Sequence, residues 1–389
     1  MRLRSFVLLA TLACNAQAAP LGADAVFANG FEDALRFTGT NVVGMEMAYQ
    51  VCDQAGGPIQ GTNYPRHDER LVDYYSGKGA TAIRFLFSWE CMQPVLNGPI
   101  PSALTANHTL YFDNYKRIVD YATNVRGMAV IVEPWNTNAA GGAGGARYRG
   151  NLVGSVAVPN AAFGDFWSRM ATIFRTNPRV AYGLINEPND MSTMSWFASA
   201  QVAITAIRAA GSTQRIYVPG NGYTAASTWT SSFYDTGAPQ RSNAYGWLNA
   251  NGPGQPLADP ANNIVAEVHT YLDPDEGGSS SQITAIDAAR QHLVVVVNEA
   301  RLRGYRVWLG EIGLYAGEAI GPAAWNDFAA YFASEPVLVG WTWWAGGDPN
   351  GWWPDVAANG GGHYAITPTS AATYTGDTVN MDMIEGDFQ

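Results

Sequence analysis

The sequence predicts a (β/α)₈ barrel in a single domain, and three observations lead to that fold class. Eight short apolar runs, rich in β-branched and aromatic residues, recur along the 389 residues of the chain. Segments with the apolar spacing of amphipathic helices separate these runs. Each run is apolar over nearly its whole length, which is typical of a parallel strand covered on both faces.

The predicted strands follow one another in chain order. They are "FTGTNVVG" (37–44), "TAIRFLF" (81–87), "MAVIVEP" (128–134), "VAYGLIN" (180–186), "RIYVPGN" (215–221), "NIVAEVHTY" (263–271), "YRVWLGE" (305–311) and "VLVGWTWW" (337–344). The predicted helices between them include "YFDNYKRIVDYATNV", "FGDFWSRMATIF", "SWFASAQVAITAIRAAG", which ends at Gly211, and "ITAIDAARQHLVVVVNEARLRG".

A doubly wound open sheet is the alternative architecture. It needs a phosphate-binding glycine pattern between an early strand and a helix. The run "GGAGG" (141–145) follows the third strand but opens no clear helix, so we interpret it as a flexible loop. The barrel would place the long loops at 222–262 and 345–370 on the carboxyl face, where barrel sites are built.

The start of the chain suggests export. Residues 1–18 combine a basic start, the apolar stretch "SFVLLATLA" and the small-residue sequence "AQA", as in a cleaved signal peptide. Residues 19–35 then form a lead-in, and 36–389 the barrel domain. We expect a secreted protein, with lipoprotein processing at Cys14 as the alternative. In an oxidising compartment Cys52 and Cys91 are either a disulfide or two buried thiols, and the sequence leaves both open.

Composition limits the class of partner. The formal net charge is −11, and Lys and Arg do not cluster, so we expect neither nucleic acid nor an anionic membrane as a partner. Hydrophobic residues make up 47% of the chain, enough for a large core. The 13 Trp and 19 Tyr offer flat faces that suit both a core and a sugar ring. We expect a monomer that binds a neutral ligand.

Two carboxylates stand at the ends of predicted strands. Glu187 ends the fourth strand and Glu311 the seventh, so a barrel would bring both to one mouth. Two facing carboxylates can cleave a glycosidic bond, with retention when they are about 5 to 5.5 Å apart. Either residue alone would more commonly be a cap or a structural ion pair.

Other polar residues are expected around this pair. Asn186 precedes the first glutamate and could bind a sugar 2-hydroxyl. His269 and Tyr271 alternate at the end of the sixth strand, so both could face the mouth, the histidine toward Glu187 and the tyrosine toward Glu311. A hydrogen-bonded core histidine is the alternative for His269.

Arg84 lies in the second strand, where its guanidinium could keep Glu311 ionised. A structural salt bridge to Glu90 or Glu46 is the alternative. No Cys/His spacing typical of metal ligands occurs, so neither a metal nor an organic cofactor is expected. The acidic loop 273–278 could bind calcium, but a solvated turn is the expected structure there.

The motifs "AIRFLF", "LINEPND", "AEVHTYLD", "WLGEIG" and "GWTWWAGG" together resemble glycoside hydrolase family 5, most closely its endo-β-1,4-glucanase branch, from about Phe37 to Pro368. The resemblance implies a retaining (β/α)₈ enzyme with Glu187 as acid/base and Glu311 as nucleophile. It also implies a cleavage subsite formed by Arg84, Asn186, His269 and Tyr271, with Trp344 as the sugar platform. Strand alternation directs Trp343 to the other face.

The chain departs from this family at several positions. The family usually has a His followed by Asn after the third strand, where this chain has Trp135 and Asn136. Tyr223 stands where the family's cellulases tend to carry a Trp, and the segment 231–259 is longer than in close relatives. These differences affect the choice of substrate. Trp135, Asn136 and Tyr223 are therefore counted among the candidate substrate-binding residues.

The expected function is endo-hydrolysis of a β-1,4-glucan by double displacement. A β-mannanase or another β-glucan or hemicellulose hydrolase is the alternative within the family. A barrel that binds glycan without cleaving it is the alternative of another class. An ester or amide hydrolase would need an activated Ser or Cys, and the chain has no "GxSxG".

Overall fold

The computed structural model describes residues 36–135, 145–350 and 361–388. Eight parallel strands close into a barrel in chain order, which confirms the predicted fold class. The strands are β1 (Phe37–Val42), β2 (Ala82–Phe87), β3 (Ala129–Pro134), β4 (Val180–Gly183), β5 (Ile216–Pro219), β6 (Ile264–Tyr271), β7 (Val307–Gly313) and β8 (Leu338–Gly346). The predicted signal peptide 1–18, the lead-in 19–35, Asn136 and positions 141–144 of the glycine run lie outside the described residues.

Helices connect the strands and form the outer layer. They are α1 (Glu69–Gly77), α2 (Trp89–Met92), α3 (Ala106–Asp120), α4 (Asn160–Phe174), α5 (Thr193–Ala209), α6 (Asn243–Asn249), α7 (Ala288–Arg303), α8 (Gly321–Ser334) and α9 (Val379–Ile384). Shorter elements are a π-helical turn at Tyr121–Val125, 3₁₀ turns at Glu46–Val51, Ala226–Thr228, Gly361–Tyr364 and Glu385–Asp387, and a hairpin of Arg147–Tyr148 with Asn151–Leu152.

The ends of the helices follow local chemistry. The side chain of Thr105 accepts the backbone N–H of His108 and caps α3. Gly211 has a φ of 85° two residues after α5 ends, as its position in the sequence predicts. The fourth predicted helix starts later than expected, at Ala288, because Thr284 donates its backbone N–H to the carbonyl of Leu272 at 2.9 Å.

The interior of the barrel changes character along its axis. Its first layers form an apolar cluster of Phe37, Ala82, Ala129, Ile131, Ala181, Tyr217, Val265, Trp308 and Val339. Successive inward positions on a strand are two residues apart. The next inward positions on β2, β3 and β6 are therefore Arg84, Glu133 and Glu267, all of them buried. The apolar core thus supports an ionic layer toward the carboxyl ends of the strands.

Two strand glycines make room for this ionic layer. A Cβ added at Gly183 would lie 2.0 Å from Oε2 of Glu133, and one added at Gly310 would lie 2.3 Å from Oε1 of Glu267. Such approaches are impossible for a real side chain. A glycine on one strand therefore faces a buried carboxylate on another.

Covalent and packing contacts close the outer layer. A disulfide joins Cys52, which follows the 3₁₀ turn after β1, to Cys91 in α2, with Cα atoms 4.7 Å apart. The structure thus selects one of the two states that the sequence left open.

Near the C-terminus the ring of Phe388 stacks on Trp341 of β8 with a centroid distance of 5.4 Å. Within the described ranges, no helix is long and apolar enough to cross a bilayer.

Candidate active site

Glu187 lies at a sharp turn after β4. The strand ends at Gly183, three residues earlier than predicted, but ladder-like backbone hydrogen bonds continue as far as Asn186, whose N–H donates to the carbonyl of Pro134 at 2.9 Å. The chain then turns at Glu187, which has a φ of 46°. This left-handed conformation is uncommon for a residue other than glycine and is often found at functional sites.

A β-bulge in β7 brings Glu311 into the same mouth. Val268 of β6 pairs with Leu309, but the next residue, His269, pairs with Glu311, so Gly310 is the extra residue. A bulge of this kind reverses the alternation of the side chains that follow it. Glu311 and His269 therefore point to the same side of the sheet, into the barrel.

The two carboxylates are close together. One oxygen of Glu187, one oxygen of Glu311 and a ring nitrogen of His269 all lie within 4.8 Å of one another. This separation is near the value of about 5 to 5.5 Å for retaining glycosidases and well below the roughly 6.5 to 9.5 Å of inverting ones. The pair has the spacing for direct attack by one carboxylate on a sugar that the other protonates.

His269 lies between three carboxylates. Its Nδ1 is 2.8 Å from Oε1 of Glu187 and 3.4 Å from Oε2 of Glu311, and its Nε2 is 3.4 Å from Oε1 of Glu267. Burial disfavours its charge, but the negative charge of Glu311 and the hydrogen bonds to Glu187 and Glu267 raise the pKa of His269 to about 10. The raised pKa favours the imidazolium form of the ring, in which both ring nitrogens donate hydrogen bonds.

The surroundings of Glu187 favour its protonated form. Burial raises the pKa of Glu187 above its usual range, and the nearby negative charge of Glu311 raises it further, whereas the hydrogen bond from His269 lowers it. A raised pKa lets a carboxyl carry a proton near neutral pH. Glu187 thus has the environment of a general acid.

Two side chains donate hydrogen bonds to Glu311. Nη1 of Arg84 donates to its Oε1 at 2.8 Å, and the hydroxyl of Tyr271 donates to its Oε2 at 2.6 Å. Burial and the charge of Glu311 raise the pKa of Tyr271, so the phenol remains a hydrogen-bond donor. The expected contacts of Arg84 and Tyr271 with Glu311 are both present.

A fully buried network holds Arg84 in place. Its guanidinium donates to Oε2 of Glu133 at 2.8 Å and to the side-chain oxygens of Asn41 and Asn186 at 2.8 and 2.7 Å, and it lies 3.2 Å from Glu267. Burial raises the pKa of Glu133 to about 7, although Arg84 opposes this shift.

The alternative partners of Arg84 are occupied elsewhere. Glu46 accepts the N–H of Gly44, and Glu90 accepts from Ser88 and from the N–H of Arg149. The alternative prediction, a salt bridge from Arg84 to Glu46 or Glu90, is therefore wrong.

Sequence reasoning missed three members of this network, Asn41, Glu133 and Glu267, as partners of Arg84. For the two glutamates the sequence does contain a signal, the two-residue period of a strand. Glu267 is two residues before His269, and Glu133 is two residues after the buried Ile131. A polar residue that continues the inward alternation of an apolar strand belongs to the site layer.

Asn186 has a free donor near the two glutamates. Its side-chain oxygen accepts from Arg84, which fixes the amide so that Nδ2 points away from the guanidinium. This Nδ2 is buried and has no hydrogen-bond partner within the part of the chain that the structure describes. It is therefore available to a ligand hydroxyl, as the sequence predicts for Asn186.

Two tryptophans form an aromatic wall at the mouth. Trp135, after β3, and Trp344, in β8, are both half-buried and pack against Val43, Leu86 and Ala345. Trp343 is fully buried on the outer side of the barrel, against Trp325 of α8. The alternation predicted for Trp343 and Trp344 is confirmed.

A cavity of about 370 Å³ opens beside Glu187. It is bounded by the loops after β5 and β6, with Tyr223, Tyr234, His269, Tyr271 and the acidic segment 274–277 in its wall. Tyr223 is half-exposed there, at the edge of the cavity. Of the predicted residues, Glu187, Tyr223, His269 and Tyr271 thus line this cavity. Glu311, Arg84 and Asn186 adjoin it through the hydrogen bonds given above.

Comparisons with known proteins agree with this geometry. Residues 37–348 match the family model described as cellulase, glycosyl hydrolase family 5. The chain is 30% identical over 293 residues to Endoglucanase 1 of Robillarda sp. (strain Y-20), covering 74% of this chain and 70% of that protein. It is 28% identical to Endo-beta-1,4-glucanase B of Aspergillus niger, over 99% of both chains.

Solved structures give the same result. The structure of XacCel5A in complex with cellopentaose superposes with a TM-score of 0.75 and 29% sequence identity, covering 91% of this chain and 99% of that one. The match of the family model over most of the chain decides the assignment. This protein therefore belongs to the cellulase family, glycoside hydrolase family 5, and is a glycoside hydrolase.

Proposed function

We propose that this protein is an endo-acting β-1,4-glucanase that works with retention, with Glu187 as acid/base and Glu311 as nucleophile. One observation carries the proposal: the two carboxylates lie within 4.8 Å of each other, with Glu187 in surroundings whose burial raises its pKa and Glu311 held by hydrogen bonds from Arg84 and Tyr271. Retaining hydrolysis needs this division of roles between two neighbouring carboxyl groups.

The first step forms a covalent intermediate. An oxygen of Glu311 attacks the anomeric carbon, and the bond from that carbon to the leaving oxygen breaks. Glu187 transfers its proton to the leaving oxygen, so the departing sugar leaves as an alcohol. Arg84 and Tyr271 orient the attacking carboxylate through their hydrogen bonds at 2.8 and 2.6 Å.

The second step releases the sugar. Glu187, now a carboxylate, takes a proton from water, whose oxygen attacks the anomeric carbon and displaces Glu311. Two displacements restore the original configuration. His269 stabilises the carboxylate form of Glu187 through its 2.8 Å hydrogen bond, so the same residue can serve as acid and then as base.

Three further side chains position the substrate. The free Nδ2 of Asn186 is proposed to bind the 2-hydroxyl of the reacting sugar, and Trp344 to support its flat face. Trp135 extends the same wall, where the family usually has a histidine. These contacts favour sugars with equatorial hydroxyls.

The substrate class follows from the wall and from the relatives. Equatorially substituted β-linked sugars present flat apolar faces to aromatic rings. The relatives are named endoglucanases or endo-β-1,4-glucanases, and XacCel5A was solved with cellopentaose. We therefore propose β-1,4-glucan, with mannan or a mixed-linkage glucan as the second candidate because Trp135 and the long loop after β5 differ from the family pattern. Residues 36–389 would form one monomeric catalytic domain, secreted after removal of 1–18.

The test is substitution of each glutamate. Glu187→Ala and Glu311→Ala are each expected to lower reducing-sugar release from carboxymethylcellulose by about 10² to 10⁴-fold, since each removes one catalytic group. Glu187→Ala should affect an aryl cellobioside less, because a nitrophenolate leaves without a proton. Asp190→Asn, at an exposed carboxylate three residues after Glu187, is the control and should leave the rate unchanged.

Three substrates and one stereochemical measurement complete this test. Among carboxymethylcellulose, lichenan and glucomannan, we expect reducing-sugar release to be highest from carboxymethylcellulose. NMR of the product that forms initially should show the β-anomer. An α-anomer would contradict the retaining mechanism. Binding of cellohexaose by the unsubstituted protein without cleavage of any substrate would instead support a non-catalytic glycan-binding barrel.

A further inference from the structure

The loop after β5 exposes three large aromatic side chains in one place. Tyr223 is 38% exposed, Tyr234 is 40% exposed and Phe233 is 77% exposed. Aromatic surface of this size is usually removed from water. A contiguous exposed group of this kind commonly marks a binding surface.

The three rings form a row that starts at the proposed acid/base. Tyr223 and Tyr234 line the cavity beside Glu187. Their ring centroids are 5.7 Å apart, and those of Tyr234 and Phe233 are 4.9 Å apart, with both pairs in edge-to-face contact. Phe233 thus adjoins this cavity through its contact with Tyr234, without being part of the cavity wall.

A strained turn fixes the inner end of this row. Gly222, Tyr223 and Thr224 have consecutive positive φ values of 73°, 60° and 51°. This conformation is costly for residues other than glycine, and it persists only where the surrounding structure enforces it. A Cβ at position 222 would lie 2.5 Å from Cβ of Tyr234, so the glycine is what allows Tyr234 to pack on the turn.

A buried carboxylate fixes the outer end. Asp235, directly after Tyr234, accepts the backbone N–H groups of Thr193 and Gly237 at 2.8 and 2.9 Å. Its own N–H donates to the carbonyl of Ser232 at 3.1 Å, which closes a tight turn around Phe233. The loop is thereby tied to the start of α5, and the rings are held in place before any ligand binds.

We propose that Phe233 and Tyr234 form an outer binding surface for the leaving-group side of a β-linked hexose chain. The inference rests on the proposed function, because the sugars on the proton-donating side of Glu187 are those that leave first. A long chain would lie over Tyr223 and Tyr234 and end against Phe233. A short substrate would not reach that far.

The test compares a long and a short substrate in matched variants. Phe233→Ala is expected to lower kcat/KM for cellohexaose roughly three- to tenfold, the range for loss of one aromatic contact, and to leave kcat/KM for p-nitrophenyl cellobioside unchanged. Phe233→Trp keeps a flat face and should retain activity on cellohexaose. Tyr245→Ala, in α6 of the same β5–β6 connection with its ring under Arg241 at 4.5 Å, is the control and should change neither value.

The possible failures of this test can be told apart. An equal effect of Phe233→Ala on both substrates, or no effect on either, would overturn the inference and leave the proposed function intact. No cleavage of either substrate by the unsubstituted protein would overturn the proposed function and the inference with it.

Discussion

At the scale of single residues, the site depends on the different hydrogen-bond partners of its two glutamates. Arg84 and Tyr271 both donate to Glu311, whereas Glu187 is partly buried beside that negative charge and receives one hydrogen bond from His269. Two identical side chains thus have different hydrogen-bond partners, and burial raises the pKa of Glu187.

His269 sets the upper end of the pH range. The protonated form of Glu187 persists to a higher pH than in a free carboxyl, because burial raises its pKa, but His269 lowers that pKa again. In His269→Gln the lowering charge is lost, so the basic limb of the pH profile of kcat/KM should move upward by about one pH unit, with a lower kcat.

The matched control for this profile is a histidine outside the carboxylate pair. His292 of α7 hydrogen-bonds Thr270 at 2.9 Å, so His292→Gln should leave the limb in place. A downward shift in His269→Gln, or an equal shift in both variants, would argue against this role of His269.

At the scale of elements, irregularities in the strands build the site. The bulge at Gly310 turns Glu311 inward, and Gly183 and Gly310 leave space for the carboxylates of Glu133 and Glu267. The inward periodicity of β2, β3 and β6 places charged residues in one layer above the apolar core. Regular strands with larger side chains at these positions would exclude that layer.

Gly183→Ala tests this space directly. The added methyl would lie 2.0 Å from Oε2 of Glu133, which Arg84 holds, so the carboxylate and the guanidinium must both shift. We expect a loss of about 1 to 3 kcal/mol in the free energy of unfolding, measured by urea denaturation, together with reduced activity.

Gly77→Ala provides the comparison. Gly77 ends α1, and a Cβ added there would meet nothing within 4 Å, so this substitution should leave stability nearly unchanged. Equal urea midpoints for the two variants would show that Glu133 moves freely, contrary to the network described above.

At the scale of the whole molecule, closure of the barrel and a covalent link between its loops hold the mouth together. β8 pairs with β1, and the disulfide between Cys52 and Cys91 spans 39 residues of sequence. It joins the turn after β1 to α2, which follows β2, so it supports two loops on the carboxyl face.

Cys52→Ser combined with Cys91→Ser should lower the free energy of unfolding by about 2 to 4 kcal/mol, because the unfolded chain regains the freedom of that loop. Thermal unfolding followed by circular dichroism measures the loss. Below the transition, kcat should be unchanged, since neither sulfur contacts the carboxylate pair. A reducing agent should lower the Tm of the unsubstituted protein and leave that of the variant unchanged; the same shift in both would contradict the explanation.

Much of the site could be predicted because its signals are local. The two glutamates, Asn186, His269, Tyr271 and Arg84 each end or continue an apolar run, and parallel strands bring such positions to one face. The same reasoning missed Glu267 and Glu133 as partners of Arg84. The partner of a carboxylate inside a strand depends on the register between strands, which the sequence of one strand does not contain.

The sequence by itself determined the barrel, the order of its strands and the identity of the facing carboxylates, since these follow from the period of apolar residues along single segments. Only the tertiary structure decided the approach of the two glutamates to within 4.8 Å, the partners of Arg84, the disulfide and the row of rings beside Glu187. Arg84 and Glu311 are 227 residues apart, and strand register, a bulge and closure of the barrel set their contact. Those features depend on packing between distant segments, which no local pattern records.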